Sequence, residues 1–427
     1  MVDLRFDVAD DLRSAVGNER VVFTPDARVC ELIFRAWPNK PATSSTGSSL
    51  VVTDVSVAGA AVQPIVSSAG APAGAPGTLV TIPLPACLEA GESVAAELDF
   101  TLTFGRRADE RMGVAPADEL AWFGTAFPLL AWVRGSGWAT DPAVDVTGEM
   151  ATSEDFLLRS LDVAAPSEYS VLGTGASVGA RAGEESGTTV HQFEAAAVRD
   201  VAVSVGLLEI EEADVDGVRL HVGASTAGTV ASLPEWVDEI TRSMRALSRL
   251  LGPYPYGDLW VTVLADESSG IEFPGAVHYA DVEPSEEQWL VSHELAHMWF
   301  YSLLGNNQAR DPWLDESFAT FAQLVVDEDE VYSLSDVPPE VAGNVGRPMS
   351  YWAGVDDPSS AYDDGVYVEG GAALYEARRR AGPARFDPAL RRYVQDNAHR
   401  VVTPADVEAA FAELPEVVDL LRQVGAL

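Results

Sequence analysis

The sequence predicts an α+β multidomain protein, in which an N-terminal antiparallel β-sandwich or saddle domain precedes a mixed α/β, mainly helical domain. Short apolar runs between turn-rich stretches recur from residue 1 to about 207, which is typical of β-sandwiches. Beyond residue 208, apolar residues recur at helical spacing in several stretches. The 427 residues suffice for two or three domains. We therefore predict a β-domain over 1–207 and a second domain over 208–427.

The predicted strands of the first part are short and rich in β-branched and aromatic residues. They cover 20–23, 31–34, 50–53, 79–84 and 97–104, the last with clear alternation of polar and apolar residues. In the second part, strands are predicted over 218–222 and 259–264, and helices over 233–251, 286–304, 370–381, 388–397 and 404–413, with another beginning at Trp313.

The cysteines, the apolar runs and the N-terminal residues indicate the cellular compartment in which the protein is expected. Cys30 and Cys87 are the only cysteines and lie far apart, so we expect buried free thiols rather than a disulfide. No apolar run is long enough for a transmembrane helix, and we expect no membrane association. The N-terminus shows no basic region followed by an apolar one. This pattern predicts a cytoplasmic location.

The charge of the chain is strongly negative. It carries 66 acidic against 27 basic residues, a formal net charge of −39, and Lys40 is its single lysine. The hydrophobic fraction of 47% indicates a folded chain rather than an acidic disordered one. No basic stripe is present, so nucleic acid is not an expected partner. Self-repulsion of this size favours a halophilic protein that works in molar salt; the alternative is a merely acidic protein.

The stretch around residue 293 carries the chemistry. His293, Glu294 and His297 form an H-E-x-x-H pattern. On a helix, residues four apart lie on one face, so both imidazoles can bind one zinc ion, with Glu294 placed as a general base. Ser285 and Gly305 mark the predicted start and stop, which puts the pattern in the middle of its helix. The alternative is a pair of hydrogen-bonded core histidines.

A third ligand follows in the next predicted helix. Glu316 stands eighteen residues after His297. A helix, a turn and a second antiparallel helix would return its carboxylate to the level of the two histidines. Three protein ligands with a fourth position open are typical of a catalytic zinc.

These motifs resemble the gluzincin signature of peptidase family M1, the aminopeptidase N family. The family pattern W-L-N-E-G-F-A stands here as W-L-D-E-S-F-A, departing at Asp315 and Ser317. The resemblance implies a zinc metallopeptidase with one zinc ion per chain and a thermolysin-like catalytic domain over 208–427. Full-length members usually continue into a large helical C-terminal domain. The chain is therefore expected to be a short form that lacks this domain.

Two further segments resemble motifs of this family. The stretch with Gly270, Ile271 and Glu272 is similar to G-G-M-E-Y-P-G, a substrate-binding strand whose glutamate holds the free α-amino group. Tyr367 stands in Y-V-E-G, similar to Y-x-K-G-A, whose tyrosine stabilises the oxyanion. Tyr362 is the second candidate for that tyrosine. The alternatives are a solvated acid at Glu272 and a core tyrosine at Tyr367.

The resemblance implies a zinc-dependent aminopeptidase that removes N-terminal residues from peptides with a free N-terminus. Glu294 would take the proton of the attacking water and pass it to the leaving amine. The alternatives are a thermolysin-like endopeptidase and a catalytically inactive, peptide-binding member of the fold. An epoxide hydrolase activity is less favoured. An oligomer is neither indicated nor excluded.

The charge leads to a testable expectation about salt. We expect the free energy of unfolding to be larger in multimolar KCl than at low salt, because salt screens the repulsion among the acidic side chains. Equilibrium unfolding followed by circular dichroism at both KCl concentrations measures the difference. Equal stability in both would argue against adaptation to high salt.

Overall fold

The computed structural model describes the chain except for residues 106–110, 118, 149, 266–268, 329–331 and 336. Two compact units are present, and they interleave along the sequence. The first comprises Met1–Ala143, Ser153–Leu233 and Tyr256–Asp281, and the second Val144–Thr152, Pro234–Pro255 and Val282–Leu427. The predicted division between residues 207 and 208 stays a prediction.

The described part of the first unit is built mainly from β-strands, with a 3-10 helix (Trp37–Asn39) and the short helix α1 (Pro41–Ser45). Its strands are β1 (Val2–Val8), β2 (Ser14–Phe23), β3 (Val29–Arg35), β4 (Ser49–Val57), β5 (Ala60–Ala61), β6 (Ile65–Ser67), β7 (Leu79–Leu88), β8 (Val94–Thr103), β9 (Met112–Ala115), β10 (Leu120–Gly124), β11 (Leu129–Leu130), β12 (Trp132–Val133), β13 (Gly137–Trp138), β14 (Phe156–Pro166), β15 (Ser170–Gly173), β16 (Ala176–Ala182), β17 (Thr188–Val198), β18 (Ala202–Gly206), β19 (Leu208–Val215), β20 (Val218–Ser225), β21 (Asp258–Leu264), β22 (Gly270–Phe273) and β23 (Ala276–Ala280).

Most of these strands form three sheets. An eight-stranded sheet has the order β16-β17-β14-β1-β2-β8-β4-β5, and two four-stranded sheets have the orders β15-β18-β10-β9 and β11-β3-β7-β6. Neighbouring strands in them are antiparallel, apart from the parallel pair β1 and β14. The alternation predicted for residues 97–104 is present in β8, where Leu98, Phe100 and Leu102 are buried. Their side chains therefore lie on one face of the sheet.

A mixed five-stranded sheet, β19-β20-β21-β23-β22, completes the first unit apart from the short pair β12 and β13. β21 is parallel to both of its neighbours and buried along its whole length. β22 is antiparallel to β23 and stands at the end of the sheet. The two are joined by Pro274 and Gly275, and Gly275 has φ +67°. A proline followed by a glycine at positive φ favours this tight turn.

The cysteines differ from the sequence-based expectation. Cys30 and Cys87 form a disulfide, with their Cα atoms 4.0 Å apart, so the prediction of buried free thiols is wrong. The reason is the pairing of β3 with β7, which brings together two positions 57 residues apart in the chain. Disulfides persist mainly in oxidising compartments, which weighs against the cytoplasmic location. That location stays a prediction.

The second unit is mainly helical. Its elements are α2 (Leu233–Leu251), α3 (Gln288–Ala296), β24 (Gly305–Asn306), α4 (Trp313–Val326), α5 (Met349–Trp352), α6 (Pro358–Tyr362), a π-helix (Asp363–Glu369), α7 (Gly370–Ala381), α8 (Pro383–Asp396), β25 (Val401–Val402), α9 (Pro404–Ala410) and α10 (Pro415–Gln423). No helix in the described part of the chain has the length and apolar character needed to cross a membrane.

The predicted helix over 286–304 is wrong in its extent. α3 ends at Ala296, so the H-E-x-x-H pattern lies at its C-terminal end and not in its middle. The chain then continues in turns, and Tyr301 has φ +84°, which an α-helix does not allow. Met298 to Leu304 are almost all apolar and buried. No proline or glycine marks the position at which the helix ends, so the sequence carries no signal for it.

Glu19 is one of several acidic residues buried inside the first unit. Glu19, on β2, faces the core and is fully buried beside Leu4 and Leu98, its neighbours on β1 and β8. Neither of its carboxylate oxygens has a hydrogen-bond partner among the described residues. Burial raises the pKa of the Glu19 carboxyl well above its usual value, against a smaller lowering by the N-terminal ammonium. The neutral acid is therefore the form favoured by the fold.

Burial of the Glu19 carboxyl makes the free energy of unfolding depend on pH. Because the folded pKa of Glu19 is raised, its contribution to stability is fully present below the unfolded pKa of about 4.3 and is lost as pH rises through the folded value. We expect Glu19→Gln to increase the free energy of unfolding at pH 8 and to reduce its decline between pH 5 and pH 8. Chemical denaturation at each pH measures both. The exposed Glu211→Gln serves as the control, and an unchanged decline in Glu19→Gln would contradict the assignment.

Candidate metal centre

Two histidines and one glutamate of the second unit converge on one point. His293 lies in α3, His297 directly follows it, and Glu316 lies in the first turn of α4. The Nε2 atoms of the two histidines are 3.2 Å apart, and Glu316 Oε2 lies 3.3 Å from Nε2 of His293 and 3.4 Å from Nε2 of His297. All three side chains are buried. They form a group that could hold a metal ion.

The spacing of these three atoms suits zinc. A tetrahedral zinc ion with ligands at 2.0–2.1 Å has ligand atoms about 3.3–3.4 Å from one another. The three observed separations lie between 3.2 and 3.4 Å. One ion can therefore contact all three atoms with little movement, and a fourth tetrahedral position would remain for a small molecule.

Both imidazole rings are oriented by further hydrogen bonds. His297 Nδ1 donates to the carbonyl oxygen of Phe300 at 3.2 Å, which leaves Nε2 with its lone pair free for a metal. The side chain of Gln323 hydrogen-bonds the ring of His293. Neither partner was predicted from the sequence. Gln323 could have been found, because it stands seven residues after Glu316 and hence on the same helical face. The carbonyl of Phe300 depends on the turn after α3, which has no sequence signal.

The electrostatics favour the protonation states that bind metals. Burial lowers the pKa of His293. Burial alone would raise the pKa of Glu316, but the two imidazoles lower it below its usual value. Asp315, next to Glu316, has its pKa raised by burial and by the Glu316 charge. A neutral imidazole and an ionised carboxylate are the forms that coordinate metals.

Glu294 and Tyr367 lie beside this group. A carboxylate oxygen of Glu294 lies within 4.8 Å of a ring nitrogen of His297, and Glu294 is buried. The ring of Tyr367, in the π-helix, stacks on His293 with centroids 5.7 Å apart and planes at 21°. Tyr362 is more deeply buried and packs edge-to-face on Tyr367 at 5.6 Å. Of the two tyrosines, Tyr367 is thus the one stacked on a predicted zinc ligand.

An arginine joins the helices that carry the ligands. Arg242 of α2 donates to Glu239 Oε1 at 2.6 Å, to Ser292 Oγ at 3.2 Å and to Asp327 Oδ1 at 2.7 Å. Ser292 precedes His293 in α3 and donates to the same Asp327 oxygen at 2.8 Å. Asp327 is the C-cap of α4. This network therefore fixes α2, α3 and α4 against one another.

Glu369, which replaces the lysine of the family pattern, has a local role. It is buried at the end of the π-helix, and its two carboxylate oxygens accept the N–H of Gly343 at 2.9 and 3.0 Å. Burial raises the pKa of Glu369, and the backbone N–H groups of Gly343 and Asn344 partly oppose this. The glutamate thus anchors the chain around Gly343 to the helix that carries Tyr367.

The remaining predicted site residues belong to the first unit. Gly270, Ile271 and Glu272 lie on β22, the terminal strand of the five-stranded sheet. Ile271 and Glu272 are buried, whereas Gly270 is partly exposed. A terminal strand has one edge without a partner strand in its sheet, and such an edge can pair with an extended peptide.

Comparisons with known proteins find similarity to a peptidase family domain and to aminopeptidases. Residues 277–424 match the model of the peptidase family M1 domain. The chain is 27% identical over 149 residues to aminopeptidase N of Haemonchus contortus, covering 32% of this chain and 15% of that protein. It is 25% identical over 244 residues to aminopeptidase M1-A of Oryza sativa subsp. japonica, covering 50% and 27%. The matched part thus spans less than a third of the length of either relative.

The fold has close counterparts among solved structures. A mutant M1 zinc metallopeptidase of Deinococcus radiodurans, bound to a Tyr-Ser-Ala substrate, has a TM-score of 0.71 at 19% identity and covers 100% of this chain and 94% of that one. A mutant two-domain M1 zinc metallopeptidase bound to L-arginine has a TM-score of 0.70 at 20% identity, with coverage of 99% and 93%. This likeness confirms the predicted α+β multidomain fold class. Residues 277–424 are thus similar to the peptidase family M1 domain, and the likeness to the solved structures shows that the chain shares their fold.

Proposed function

We propose that the chain is a zinc-dependent aminopeptidase that hydrolyses the N-terminal bond of peptides. The observation that carries the proposal is the group of His293, His297 and Glu316, whose ligand atoms have tetrahedral separations of 3.2–3.4 Å. A zinc ion held by them would polarise the scissile carbonyl and acidify a water molecule. The neighbouring side chains supply the rest of the chemistry.

Glu294 is the proposed general base. Its carboxylate lies within 4.8 Å of a His297 nitrogen, on the same buried side as the ligand group. It would take the proton of the attacking water and pass it to the leaving amine. This pairing of a base with a metal ligand next to it in sequence suits peptide hydrolysis and does not require a covalent intermediate.

Tyr367 is the proposed oxyanion donor. Its ring stacks on His293, and its side chain is partly exposed, whereas Tyr362 is buried behind it. A hydroxyl donor aimed at the oxygen on which charge develops stabilises the transition state more than the substrate. The geometry therefore favours Tyr367 over Tyr362 for this role.

Glu272 is the proposed anchor of the substrate's ammonium group. The support is its match to the family's substrate-binding motif, together with the terminal position of β22, along which Gly270 and Ile271 would bind substrate backbone. A buried carboxylate that pairs with an ammonium selects peptides with a free N-terminus. The runner-up function, a thermolysin-like endopeptidase, does not need this pairing. A catalytically inactive, peptide-binding protein would need neither the pairing nor a base.

The choice among these functions can be tested with matched substrates. We expect cleavage of alanyl-coumarin, no cleavage of its N-acetylated form, and loss of activity with a chelator. Glu272→Gln should lower kcat/KM for the free amine by roughly 10- to 150-fold, because a hydrogen bond to a charged group contributes about 1.5–3 kcal/mol. Initial rates in multimolar KCl measure each value.

The control for Glu272→Gln is inhibition by acetohydroxamate, a metal-binding probe without an amine. Its inhibition constant should be equal in wild type and variant. Cleavage of the acetylated substrate would support the endopeptidase. A variant that cleaves the free amine at the wild-type rate would contradict the anchor role of Glu272.

A second prediction concerns the base. Glu294→Gln should retain one zinc per chain and lose kcat by roughly 10²–10⁴-fold, since the amide cannot accept the proton of water. Metal content by mass spectrometry and the rate of alanyl-coumarin hydrolysis check the two parts. Glu286→Gln, an exposed acid just before α3, is the matched control and should keep wild-type kcat. Near-wild-type turnover in Glu294→Gln would refute the mechanism.

A further inference from the structure

Ser317, which follows the proposed metal ligand Glu316, is hydrogen-bonded to Val366, which precedes the proposed oxyanion donor Tyr367. Its hydroxyl donates to the carbonyl oxygen of Val366 at 2.6 Å. Ser317 directly follows Glu316 in α4, and Val366 directly precedes Tyr367 in the π-helix. Both Ser317 and Val366 are fully buried. The hydrogen bond is therefore shielded from water, where such a bond holds its geometry most strongly.

The backbone around Tyr367 does not follow one regular helical pattern. The π-helix passes into α7 at Gly370, whose N–H bonds to the carbonyl of Tyr367, three residues back. An α-helix would bond four residues back and a π-helix five. The hydrogen-bond pattern of the backbone thus changes at Tyr367. Regular helical geometry alone therefore does not fix the direction of the Tyr367 side chain. The hydrogen bond from Ser317 to Val366 is an additional constraint from outside the helix, beside the ring contacts of Tyr367 with His293 and Tyr362.

The helices around Ser317 are closely packed. A Cβ atom at Gly370 would overlap the side chain of Ser317, and one at Gly371 would lie 2.6 Å from Cγ2 of Thr320. The two glycines therefore let α4 approach the π-helix and α7 more closely than any larger residue would. At this distance the serine side chain fills the gap between the helices.

A second buried hydroxyl, that of Thr320, lies one turn further along α4. Thr320 is buried against Gly371, and its hydroxyl has no hydrogen-bond partner among the described residues. Burial of a polar group in this helix interface therefore does not by itself produce a link to the neighbouring backbone. Of these two buried hydroxyls in α4, the one beside Glu316 is hydrogen-bonded to the π-helix, at the residue before Tyr367.

We propose that Ser317 is a positioning residue, which holds the Tyr367 hydroxyl in place relative to His293, His297 and Glu316. This inference rests on the proposed function, because it assumes that Tyr367 stabilises the oxyanion. Tyr367 stacks on His293 at 5.7 Å, so a shift of the π-helix against α4 would move its hydroxyl relative to the scissile carbonyl. A displacement of about 1 Å at a reacting centre can cost about 10²-fold in rate.

The test is a double-mutant cycle between Ser317 and Tyr367. Ser317→Ala removes the hydroxyl and keeps the packing, and it should lower kcat for alanyl-coumarin by about tenfold, with KM within about twofold of wild type. Tyr367→Phe should lower kcat by roughly 10²–10³-fold. In the Tyr367→Phe background, Ser317→Ala should change kcat by less than about twofold, because no hydroxyl remains to be positioned.

Two further variants separate positioning from folding. Ser317→Gly, the residue of the family pattern at this position, should reproduce the kcat of Ser317→Ala. Thr320→Val, the matched control in the same interface, should keep wild-type kcat. Zinc content and thermal unfolding are measured for every variant, and the expected result is one zinc per chain in all of them.

Each outcome bears on the proposal. Equal losses from Ser317→Ala with and without the Tyr367 hydroxyl, or wild-type kcat in both Ser317 variants, would overturn the positioning role and leave the proposed function standing. Loss of zinc in both Ser317 variants would assign the residue to packing of the metal centre and would also overturn it. Wild-type kcat in Tyr367→Phe would refute the role of the tyrosine itself, and the Ser317 inference with it.

Discussion

The enclosure of one carboxylate between two imidazoles is the constraint on which the second unit depends. A buried charge without compensation costs several kcal/mol, and Glu316 is buried with its pKa held low by His293 and His297. The side chains of the three residues must therefore lie close together, and their ligand atoms are 3.2–3.4 Å apart. The helices α3 and α4, together with the turn after α3, hold His293, His297 and Glu316 next to one another.

The surrounding polar contacts act on the same arrangement from different sides. The Arg242 network joins α2, α3 and α4, while Gln323 and the Phe300 carbonyl orient the two rings. Ser317 connects α4 with the π-helix. Each of these contacts limits one movement of the ligand group, so that little reorganisation would be needed for a metal ion to bind.

The convergence of the candidate metal ligands was easier to predict from the sequence than the contacts around them. The histidine pair and the distant glutamate depend on spacing and residue type, which a sequence displays directly, and the structure brings these three residues together. The end of α3 at Ala296 is followed by buried, mostly apolar residues, and no helix-breaking residue marks it. The Cys30–Cys87 disulfide depends on the pairing of β3 with β7, a contact between distant segments that cysteine count alone does not reveal. Hydrogen bonds to backbone carbonyls, such as those of Phe300 and Val366, carry no residue signature at all.

The π-helix has a consequence for how the tyrosine side chains are placed. In an α-helix, residues four apart share a face, whereas Tyr362 and Tyr367 are five apart and still touch, with ring centroids at 5.6 Å. The wider turn absorbs one additional residue between them. The direction of Tyr367 is thus encoded partly by the number of residues in the segment, and a single insertion or deletion there would change what the tyrosine faces without altering any side chain of the metal centre.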